Sequence, residues 1–369
     1  MIPRRLGSLL TITSLASVVA FAAPAAAIND GRIAEDGQYP AMAYVYLEDE
    51  GGQCGGTVVA PTKVVTAAHC VYQSGAIVVL DETSSTAIWE ENAGDVHEVV
   101  DIAVHPDYDV ADVDYDIAVL TLNPPTDLAP ARLPTPAEAA LWSWGTDATI
   151  AGWGAIDNTN EASDDLRSAT VTIKSDGYCD SGSDGIGCTA GLAKACFGDG
   201  GGPVLVDDNG DPVLVGVITF TSGDCEDTMP TYFQRTGADA IHRWLKIETD
   251  TVAPRVATHS PAGTGVDRDV NARAVFSEEM RRGTLNETTF KLFRIGVDGV
   301  ARRVQDVAVI PRSDGKVATL NPAARLGART RYKVVVATGA LDLARLNLDQ
   351  NRQLDGNQQK VWFFKTGAS

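Results

Sequence analysis

The first two thirds of the chain alternate short apolar or β-branched runs with clusters of Gly, Pro, Asn and Asp. This spacing is typical of an all-β barrel or sandwich and not of alternating strands and helices. The predicted strands are residues 41–46, 57–60, 98–104, 117–122, 148–152, 169–173, 203–206 and 212–220. Within Ala238–Ile247, Ile241, Trp244 and Leu245 recur at helical spacing, which predicts an amphipathic helix packed on this domain.

The strand pattern resumes after a predicted linker at residues 249–254. The predicted strands there are Val256–His259, Ala272–Phe276, Phe290–Phe293, Val304–Val309, Val317–Leu320, Arg331–Val336 and Val361–Thr366. This density of strands suits a small Ig-like sandwich. We therefore expect two β-domains, at residues 28–248 and 255–369.

The first 27 residues have the features of a secretory signal peptide. Arg4 and Arg5 precede an apolar run, Leu9–Ala22, and Ala25–Ala27 supplies small residues for cleavage. The run is too short for a membrane anchor, and no later stretch reaches the roughly 18 apolar residues of a transmembrane helix. We expect a secreted, extracellular protein, soluble or attached peripherally to the cell surface.

Six cysteines fit an exported protein, because an even number in an oxidising compartment indicates disulfides. The number alone leaves 15 pairings open. The chain has no CxxC pair and no His/Cys cluster with zinc spacing. We expect no metal and no cofactor, and the sequence gives no specific sign of calcium.

Charge divides the two predicted domains. Residues 28–251 contain 9 basic and 38 acidic residues, a net charge of −29, whereas residues 252–369 contain 19 basic and 11 acidic residues, a net charge of +8. The acidic domain would repel nucleic acid. The basic domain favours an anionic surface such as the cell envelope, or its own acidic neighbour, although a plain spacer is equally compatible.

Five motifs occur in the order found in one family. Thr66–Cys70 reads TAAHC, Asp116–Leu120 reads DIAVL, Cys196–Pro203 reads CFGDGGGP, Gly152–Gly154 reads GWG and Cys54–Gly56 reads CGG. Together they are highly specific, and residues 28–248 resemble the trypsin/chymotrypsin family of serine proteases. The resemblance implies two six-stranded β-barrels with the active site in the cleft between them, and a polypeptide as substrate or ligand.

The resemblance also implies roles for individual residues. His69 occupies the position of the family's general base, and Asp116 that of the carboxylate that orients this base. The N–H groups of Gly198 and Gly200 would form the oxyanion hole. The implied disulfides are Cys54–Cys70, Cys179–Cys188 and Cys196–Cys225.

The N-terminus of the mature chain follows the same family pattern. Ile28 stands where the family has the residue whose free α-amino group pairs with an aspartate, here Asp199. Because Ile28 directly follows the predicted cleavage after Ala27, signal peptidase itself would create the mature terminus.

The sequence departs from the family at the nucleophile. The family motif is C-x-G-D-S-G-G-P, and Gly200 occupies the serine position. Loss of that serine costs roughly 10⁶-fold in kcat in a serine protease. Ser181, Ser183 and Ser222 do not occupy the required turn; a water activated by His69 is a further alternative. The glycine is compatible with a natural pseudoprotease, an engineered knockout, or a variant of an active extracellular endopeptidase with serine at position 200.

The specificity pocket departs as well. Lys194 stands at the pocket floor, where trypsin has an aspartate, and would repel basic substrates and accept acidic ones unless it pairs with a nearby acid. Thr219 and Thr221 belong to a Thr-Phe-Thr segment that replaces the family's Ser-Trp-Gly, and Thr221 and Thr231 would narrow the pocket.

The C-terminal domain resembles bacterial Ig-like domains of the Big type. Ser260–Val266, Phe276–Met280 and Val361–Thr366 carry the likeness. Such modules space, anchor or bind at surfaces, and no catalytic constellation is found here. Its single histidine, His259, is expected to be structural.

Overall fold

The computed structural model describes residues 28–368 except 50, 112, 113, 159, 160, 184, 222, 223 and 226–228. The predicted signal peptide, Ser222 and the side chain of Thr221 lie outside this description. The described chain folds into two β-barrels followed by a two-sheet region, so the predicted all-β class is confirmed.

The first barrel follows a short strand, β1 (Arg32–Ile33). Its six strands are β2 (Met42–Leu47), β3 (Gln53–Ala60), β4 (Lys63–Thr66), β5 (Ala76–Leu80), β6 (Asp95–Val104) and β7 (Ala118–Asn123). They pair antiparallel in the order β2-β3-β4-β7-β6-β5, and β5 closes the barrel on β2. Valine and alanine dominate the buried interior, as expected for β-branched and small residues inside a small barrel.

The second barrel has the same strand number. Its strands are β8 (Asp147–Gly152), β9 (Arg167–Ile173), β10 (Ile186–Ala190), β11 (Pro203–Asp208), β12 (Asp211–Thr221) and β13 (Thr231–Arg235). The order is β8-β9-β10-β13-β12-β11, with β11 returning to β8, and β1 adds to the outer side of β9. The two six-stranded barrels implied by the family resemblance are therefore confirmed.

Helices are few and short. They are α1 (Ala68–Val71), α2 (Asp176–Cys179), α3 (Asp239–Glu248), the π-helical turn Ala87–Glu91 and the 3-10 turns Pro136–Trp142 and Arg282–Thr284. The helix predicted from periodicity is α3, whose Ile241 and Leu245 are buried in the core of the first barrel. No helix in the described part of the chain has the length and apolar character needed to cross a membrane.

Two sheets form the C-terminal sandwich. One contains β14 (Val256–Ser260), β16 (Ala272–Phe276), β19 (Val307–Pro311) and β20 (Val317–Pro322), in the order β14-β16-β20-β19. The other contains β15 (Gly263–Val266), β17 (Phe290–Ile295), β18 (Ala301–Arg303), β21 (Arg331–Val336) and β22 (Lys360–Thr366), in the order β15-β22-β21-β17-β18. Both sheets contribute to one apolar core.

The sandwich differs from the sequence prediction in three places, one of which is β18, a short strand that was not predicted. The strand predicted at Val304–Val309 is interrupted, because Asp306 has a positive φ of 53° and the chain turns there between β18 and β19. Strand β15 was not predicted, since Gly263 and Gly265 gave it the character of a turn. It pairs parallel with β22.

The core of the second barrel contains a close fit between one aromatic ring and two glycines. Phe233 is fully buried, and Gly187 lies directly opposite it on β10. A Cβ at Gly187 or Gly216 would overlap the Phe233 ring. The glycines are therefore required by the ring, and the ring fills the space that they leave.

We predict that Phe233→Ala lowers the free energy of unfolding by about 3–5 kcal/mol, because it leaves a cavity lined by glycine backbone that cannot collapse. Urea unfolding of the mature chain measures the change. Trp144→Ala, at a residue 76% exposed, is the control and should change stability by less than about 0.5 kcal/mol. Equal effects of the two substitutions would contradict the packing argument.

Candidate active site

His69 and Asp116 are adjacent in the structure. His69 lies in α1 directly after β4, and Asp116 precedes β7, the strand that pairs with β4. The Nδ1 atom of His69 is 2.7 Å from Oδ2 of Asp116, and the backbone N–H of His69 donates to Oδ1 at 2.8 Å. Asp116 is 2% exposed, so its carboxylate holds the imidazole from a buried position and leaves Nε2 facing the cleft.

A buried glutamine that the sequence analysis did not single out fixes Asp116 from behind. The Oε1 atom of Gln234 accepts the backbone N–H of Asp116 at 3.1 Å, and its Nε2 donates to the carbonyl of Gly185 at 2.7 Å. Gln234 is fully buried in β13 of the second barrel. The sequence shows only one polar residue within a strand, and nothing in it indicates that this side chain contacts the other barrel.

Glycines bring the two barrels into backbone contact beside His69. The N–H of Gly55 in β3 donates to the carbonyl of Gly200 at 2.8 Å. A Cβ on Gly55 would lie 2.7 Å from the Cα of Gly202, too close for any side chain. The CGG and GGGP motifs therefore include glycines required by this approach, which places position 200 against the imidazole.

Gly200 faces Nε2 of His69. A Cβ at position 200 would lie 2.7 Å from Nε2 and 2.9 Å from Cε1. The imidazole thus reaches into space that a serine side chain would occupy, and any larger residue at 200 requires the ring to withdraw by several tenths of an ångström. The site thus brings together an imidazole and a buried carboxylate, and position 200 has no hydroxyl.

The other serines considered as nucleophiles form different contacts. The hydroxyl of Ser183 donates to Asp114 at 2.7 Å, and that of Ser181 donates to the carbonyl of Ser183 at 3.2 Å. Within the described residues, no hydroxyl forms a hydrogen bond with His69. Ser222 lies outside the description.

The backbone around Gly200 leaves donors available. The N–H groups of Gly198 and Gly200, predicted to form the oxyanion hole, donate to no described residue, whereas those of Asp199, Gly201 and Gly202 donate within the loop or to β12. Gly198 has a φ of +90°, a conformation favourable only for glycine. Unpaired N–H groups at a cleft can bind a carbonyl or carboxylate oxygen.

Asp199 is a fully buried carboxylate. Its oxygens accept N–H groups from Gly154 and Cys196, both at 2.8 Å. Burial raises the pKa of Asp199 to about 7, although the two N–H donors act in the opposite direction. A Cβ on Gly152 or Gly154 would overlap the carboxylate, which explains both glycines of the GWG motif.

Ile28 lies in the same region. It is fully buried in the core of the second barrel with Ala195, and the next residue, Asn29, forms a β-bridge with Lys194. The chain start predicted for the mature protein is therefore beside the segment that leads into Asp199.

The predicted pocket residues lie on β12, β13 and the segment before Asp199. Lys194 is 6% exposed, and its ammonium donates to the carbonyl of Asp224 at 2.9 Å. The hydroxyl of Thr231 accepts the N–H of Ala195 at 3.0 Å, and that of Thr219 donates to the carbonyl of Tyr232 at 3.3 Å. The backbone of Thr221 pairs with Thr231.

An aromatic cleft adjoins Gly198 on the other side of the site. It has a volume of about 640 Å³, and its walls include Tyr44, Tyr46, Trp89 and Phe197. Trp89 and Phe197 are half exposed, and the indole N–H of Trp89 donates to the Tyr44 hydroxyl at 3.1 Å. The sequence analysis missed this cleft because its aromatic residues come from separate segments of the chain.

The structure contains the three disulfides that the resemblance implies: Cys54–Cys70, Cys179–Cys188 and Cys196–Cys225. Cys54 and Cys70 lie beside His69, but their sulfurs are bonded to each other and are not available as thiolate ligands. The chemistry of this site is therefore that of an imidazole–carboxylate pair and backbone N–H donors. Disulfides indicate an oxidising, extracellular-type compartment.

Comparison with known proteins agrees with this geometry. The trypsin family profile matches residues 28–245, and that of a bacterial Ig-like domain matches residues 250–366. A trypsin of Saccharopolyspora erythraea is 35% identical over 193 residues, 50% of this chain and 82% of the relative. A trypsin of Phaedon cochleariae is 30% identical, covering 53% and 79% of the two chains, and glucanase inhibitor protein 3 of Phytophthora sojae is 30% identical, covering 50% and 75%. The chain therefore belongs to the trypsin family of serine proteases and continues into a bacterial Ig-like domain.

Proposed function

We propose that this protein is a secreted, catalytically inactive trypsin-like protease homologue that binds polypeptides without cutting them. The observation that carries the proposal is Gly200, which faces the base His69 without a side chain. An acyl-enzyme requires an attacking hydroxyl, and the family's mechanism cannot begin without one. Binding and the oxyanion hole alone supply about 10³–10⁴-fold over water.

The rest of the site remains suited to binding. The N–H groups of Gly198 and Gly200 can donate hydrogen bonds to a peptide carbonyl oxygen, and the aromatic cleft beside Gly198 can hold apolar side chains. A relative named as a glucanase inhibitor supports a binding role for this fold.

The alternative is an active endopeptidase whose native sequence has serine at position 200. The preserved contact between His69 and Asp116 favours it. The chain itself has glycine at position 200, which has no side chain to attack a carbonyl. We therefore place the inactive homologue first.

Export would supply the mature terminus. Signal cleavage after Ala27 would free the α-amino group of Ile28. We infer that this group forms an ion pair with the carboxylate of Asp199. A buried carboxylate with a pKa raised to about 7 is stabilised by a cation, and Ile28 is buried next to the segment before it. N-terminal sequencing of the exported protein is expected to begin at Ile28.

The pocket would disfavour basic side chains. Lys194 is buried at the position that we assign to the pocket floor, and its ammonium is bound to a backbone carbonyl. A substrate lysine or arginine would meet this like charge in a poorly solvated place. We infer a preference for acidic or small polar side chains.

The Ig-like domain would hold the protein to an anionic surface such as the cell envelope. Strand register places five basic residues and two aromatic residues on the outer face of one sheet, and no acidic residue on that face of β17, β18, β21 and β22. The basic residues are Lys291, Arg303, Arg331, Lys333 and Lys365. We call this set the basic face.

We predict that Gly200→Ser raises peptide hydrolysis by several orders of magnitude, on the order of 10⁴-fold or more, because it restores the nucleophile beside an intact base. A peptide library and a serine-directed phosphonate measure activity and labelling. Gly200→Ala is the matched control, since it adds the Cβ without the hydroxyl and should remain inactive. The cleaved peptides should contain few sites with lysine or arginine before the scissile bond.

Hydrolysis by the unaltered chain at the rate of Gly200→Ser would refute the claim of inactivity. If Gly200→Ser neither labels nor cuts, although it folds, the imidazole has not withdrawn and the alternative of an active native enzyme is wrong.

We predict that the pH dependence of stability differs between a chain beginning at Ile28 and one with an added methionine before Ile28. In the extended form the folded Asp199 has a pKa of about 7, whereas an exposed aspartate in the unfolded chain titrates near 3.9. Between these values the folded state holds a proton that the unfolded state lacks. Stability therefore falls as pH rises, by up to about 1.4 kcal/mol per unit, and levels off above pH 7.

In the form beginning at Ile28, the protonated α-amino group of Ile28 neutralises the carboxylate of Asp199. The loss of stability with rising pH should therefore be absent from this form. Unfolding at pH 5 and pH 7.5 measures it, and other titrating groups cancel in the comparison. Asp199→Asn in the extended form is the control and should remove the slope. The same slope in both forms would contradict the Ile28–Asp199 pair.

We predict that the full chain binds bacterial cell walls carrying anionic polymers and is released as NaCl rises from 0.05 to 1 M, because salt screens exposed charges. The double substitution Arg303→Gln with Lys333→Gln should weaken binding several-fold. The control, Arg302→Gln with Arg312→Gln, removes the same charge from arginines that already pair with Asp298 and Asp314. Sedimentation with the walls measures binding, and equal loss in both variants would contradict a role for the basic face.

A further inference from the structure

Three carboxylates meet where the linker enters the Ig-like domain. Asp250 lies two residues after the end of α3, Glu278 follows β16, and Asp342 lies in the loop after β21. One oxygen from each lies within 4.8 Å of the others. Residues from three distant parts of the sequence thus form one oxygen-rich cluster.

Asp342 lacks a partner for one of its oxygens. The side chain is 1% exposed, and Oδ1 accepts the N–H of Leu346 at 2.8 Å. Oδ2 is buried and has no hydrogen-bond partner. A buried carboxylate oxygen without a donor is costly, so its presence points to a partner that is not part of the chain.

No basic side chain among the described residues neutralises the cluster. None of the three carboxylates forms an ion pair with a described lysine, arginine or histidine. The cluster is therefore a site of excess negative charge that only a proton or an external cation can relieve.

The other two carboxylates of the cluster, those of Asp250 and Glu278, are oriented by hydrogen bonds. The N–H of Val252 donates to Oδ1 of Asp250 at 2.8 Å, which closes a turn in the linker. The hydroxyl of Ser277 donates to Oε1 of Glu278 at 3.3 Å. These bonds hold two carboxylates in place from outside the cluster. Glu278 and Asp250 also form a side-chain hydrogen bond with each other, so a bound cation would replace the proton that they share.

We propose that Asp250, Glu278 and Asp342 bind a Ca²⁺ ion. Calcium is a hard cation that takes six to eight oxygen ligands in flexible geometry, and three carboxylates supply part of such a shell while backbone carbonyls and water complete it. Structural zinc sites are built mainly from cysteine and histidine, and magnesium demands near-ideal octahedral geometry. An all-carboxylate cluster at a domain junction fits calcium best.

The ion would tie the linker to the Ig-like domain. Asp250 belongs to the segment between α3 and β14, whereas Glu278 and Asp342 belong to the domain itself. Farther along the same segment, the carbonyl of Pro254 accepts the N–H of Asp349 at 2.9 Å. With calcium bound, the linker is held to the domain at both of these points.

The experiment uses the full mature chain, treated with EDTA, dialysed and titrated with CaCl₂ in a calorimeter and in thermal unfolding. We expect a Kd of about 10⁻⁴–10⁻³ M, as in extracellular calcium modules. At about 100 times Kd the midpoint of the affected transition should rise by on the order of 10 °C. MgCl₂ at the same concentration should have a much smaller effect.

Asp342→Asn and Glu278→Gln should each weaken calcium binding by at least about 10-fold, because each removes a charged ligand. Asp342→Asn should also be at least as stable as the unaltered chain in EDTA at pH 8, since it relieves the unpaired charge. Glu279→Gln is the matched control, an exposed neighbour of Glu278 outside the cluster. Limited proteolysis should cut residues 249–254 more slowly with calcium, in the unaltered chain and in the control.

Absence of calcium binding at 10 mM would overturn the proposal. Equal stabilisation of the unaltered chain and both cluster variants would place the ion elsewhere and overturn it as well. If EDTA and calcium have no effect while Asp342→Asn stabilises the chain at pH 8, a proton and not a metal ion relieves the cluster.

Discussion

The contact between the two barrels at Gly55 and Gly202 determines how the residues of the site are positioned relative to one another. The backbones meet so closely that no side chain fits, and the Gly55 N–H fixes the Gly200 carbonyl. His69 and Asp116 come from the first barrel, whereas Gly198 and Gly200 come from the second. If this contact opened, the base, the free N–H groups and position 200 would separate together. The site therefore depends on main-chain geometry, which explains how it keeps its form although position 200 has no side chain.

Many of the family's motif residues serve this geometry and not the chemical step. Gly152 and Gly154 make room for the Asp199 carboxylate, which in turn accepts the N–H groups of Gly154 and Cys196. A protein that binds without cutting still needs these residues, because they shape the cleft. The retention of His69 has a similar explanation: with Asp116 it fills the cleft wall beside the Cys54–Cys70 disulfide. An intact motif is thus weak support for activity, and the identity of residue 200 carries more weight.

Apolar periodicity predicted the all-β class and α3, because it is a local signal, whereas the two barrels were implied by the family resemblance. The same periodicity did not identify β4, β5, β10 and β13. It failed where a distant contact decides the outcome. Asp306 broke a predicted strand by adopting a left-handed conformation, and Gly263–Val266 became a strand only by pairing with β22. Gln234 and the carboxylate cluster were missed for the same reason, since each acts on residues far away in the sequence. The predicted roles of His69, Asp116 and Ile28 rest on family resemblance, and the structure supplies the distances that make them testable.

The two domains fit a single mode of action. A cleft that holds a polypeptide and a basic face that holds an anionic surface would form a bivalent binder, in which the second contact gains from the effective concentration set by the linker. That gain is lost when the linker cannot span the two sites, and it depends on how freely the linker moves. The segment between Glu248 and Val256 is short, and the carboxylate cluster lies at its start. A calcium ion there would couple the geometry of the whole molecule to the calcium concentration outside the cell. Such control would act on bivalent binding directly, because the effective concentration of the second contact depends on the geometry of the linker.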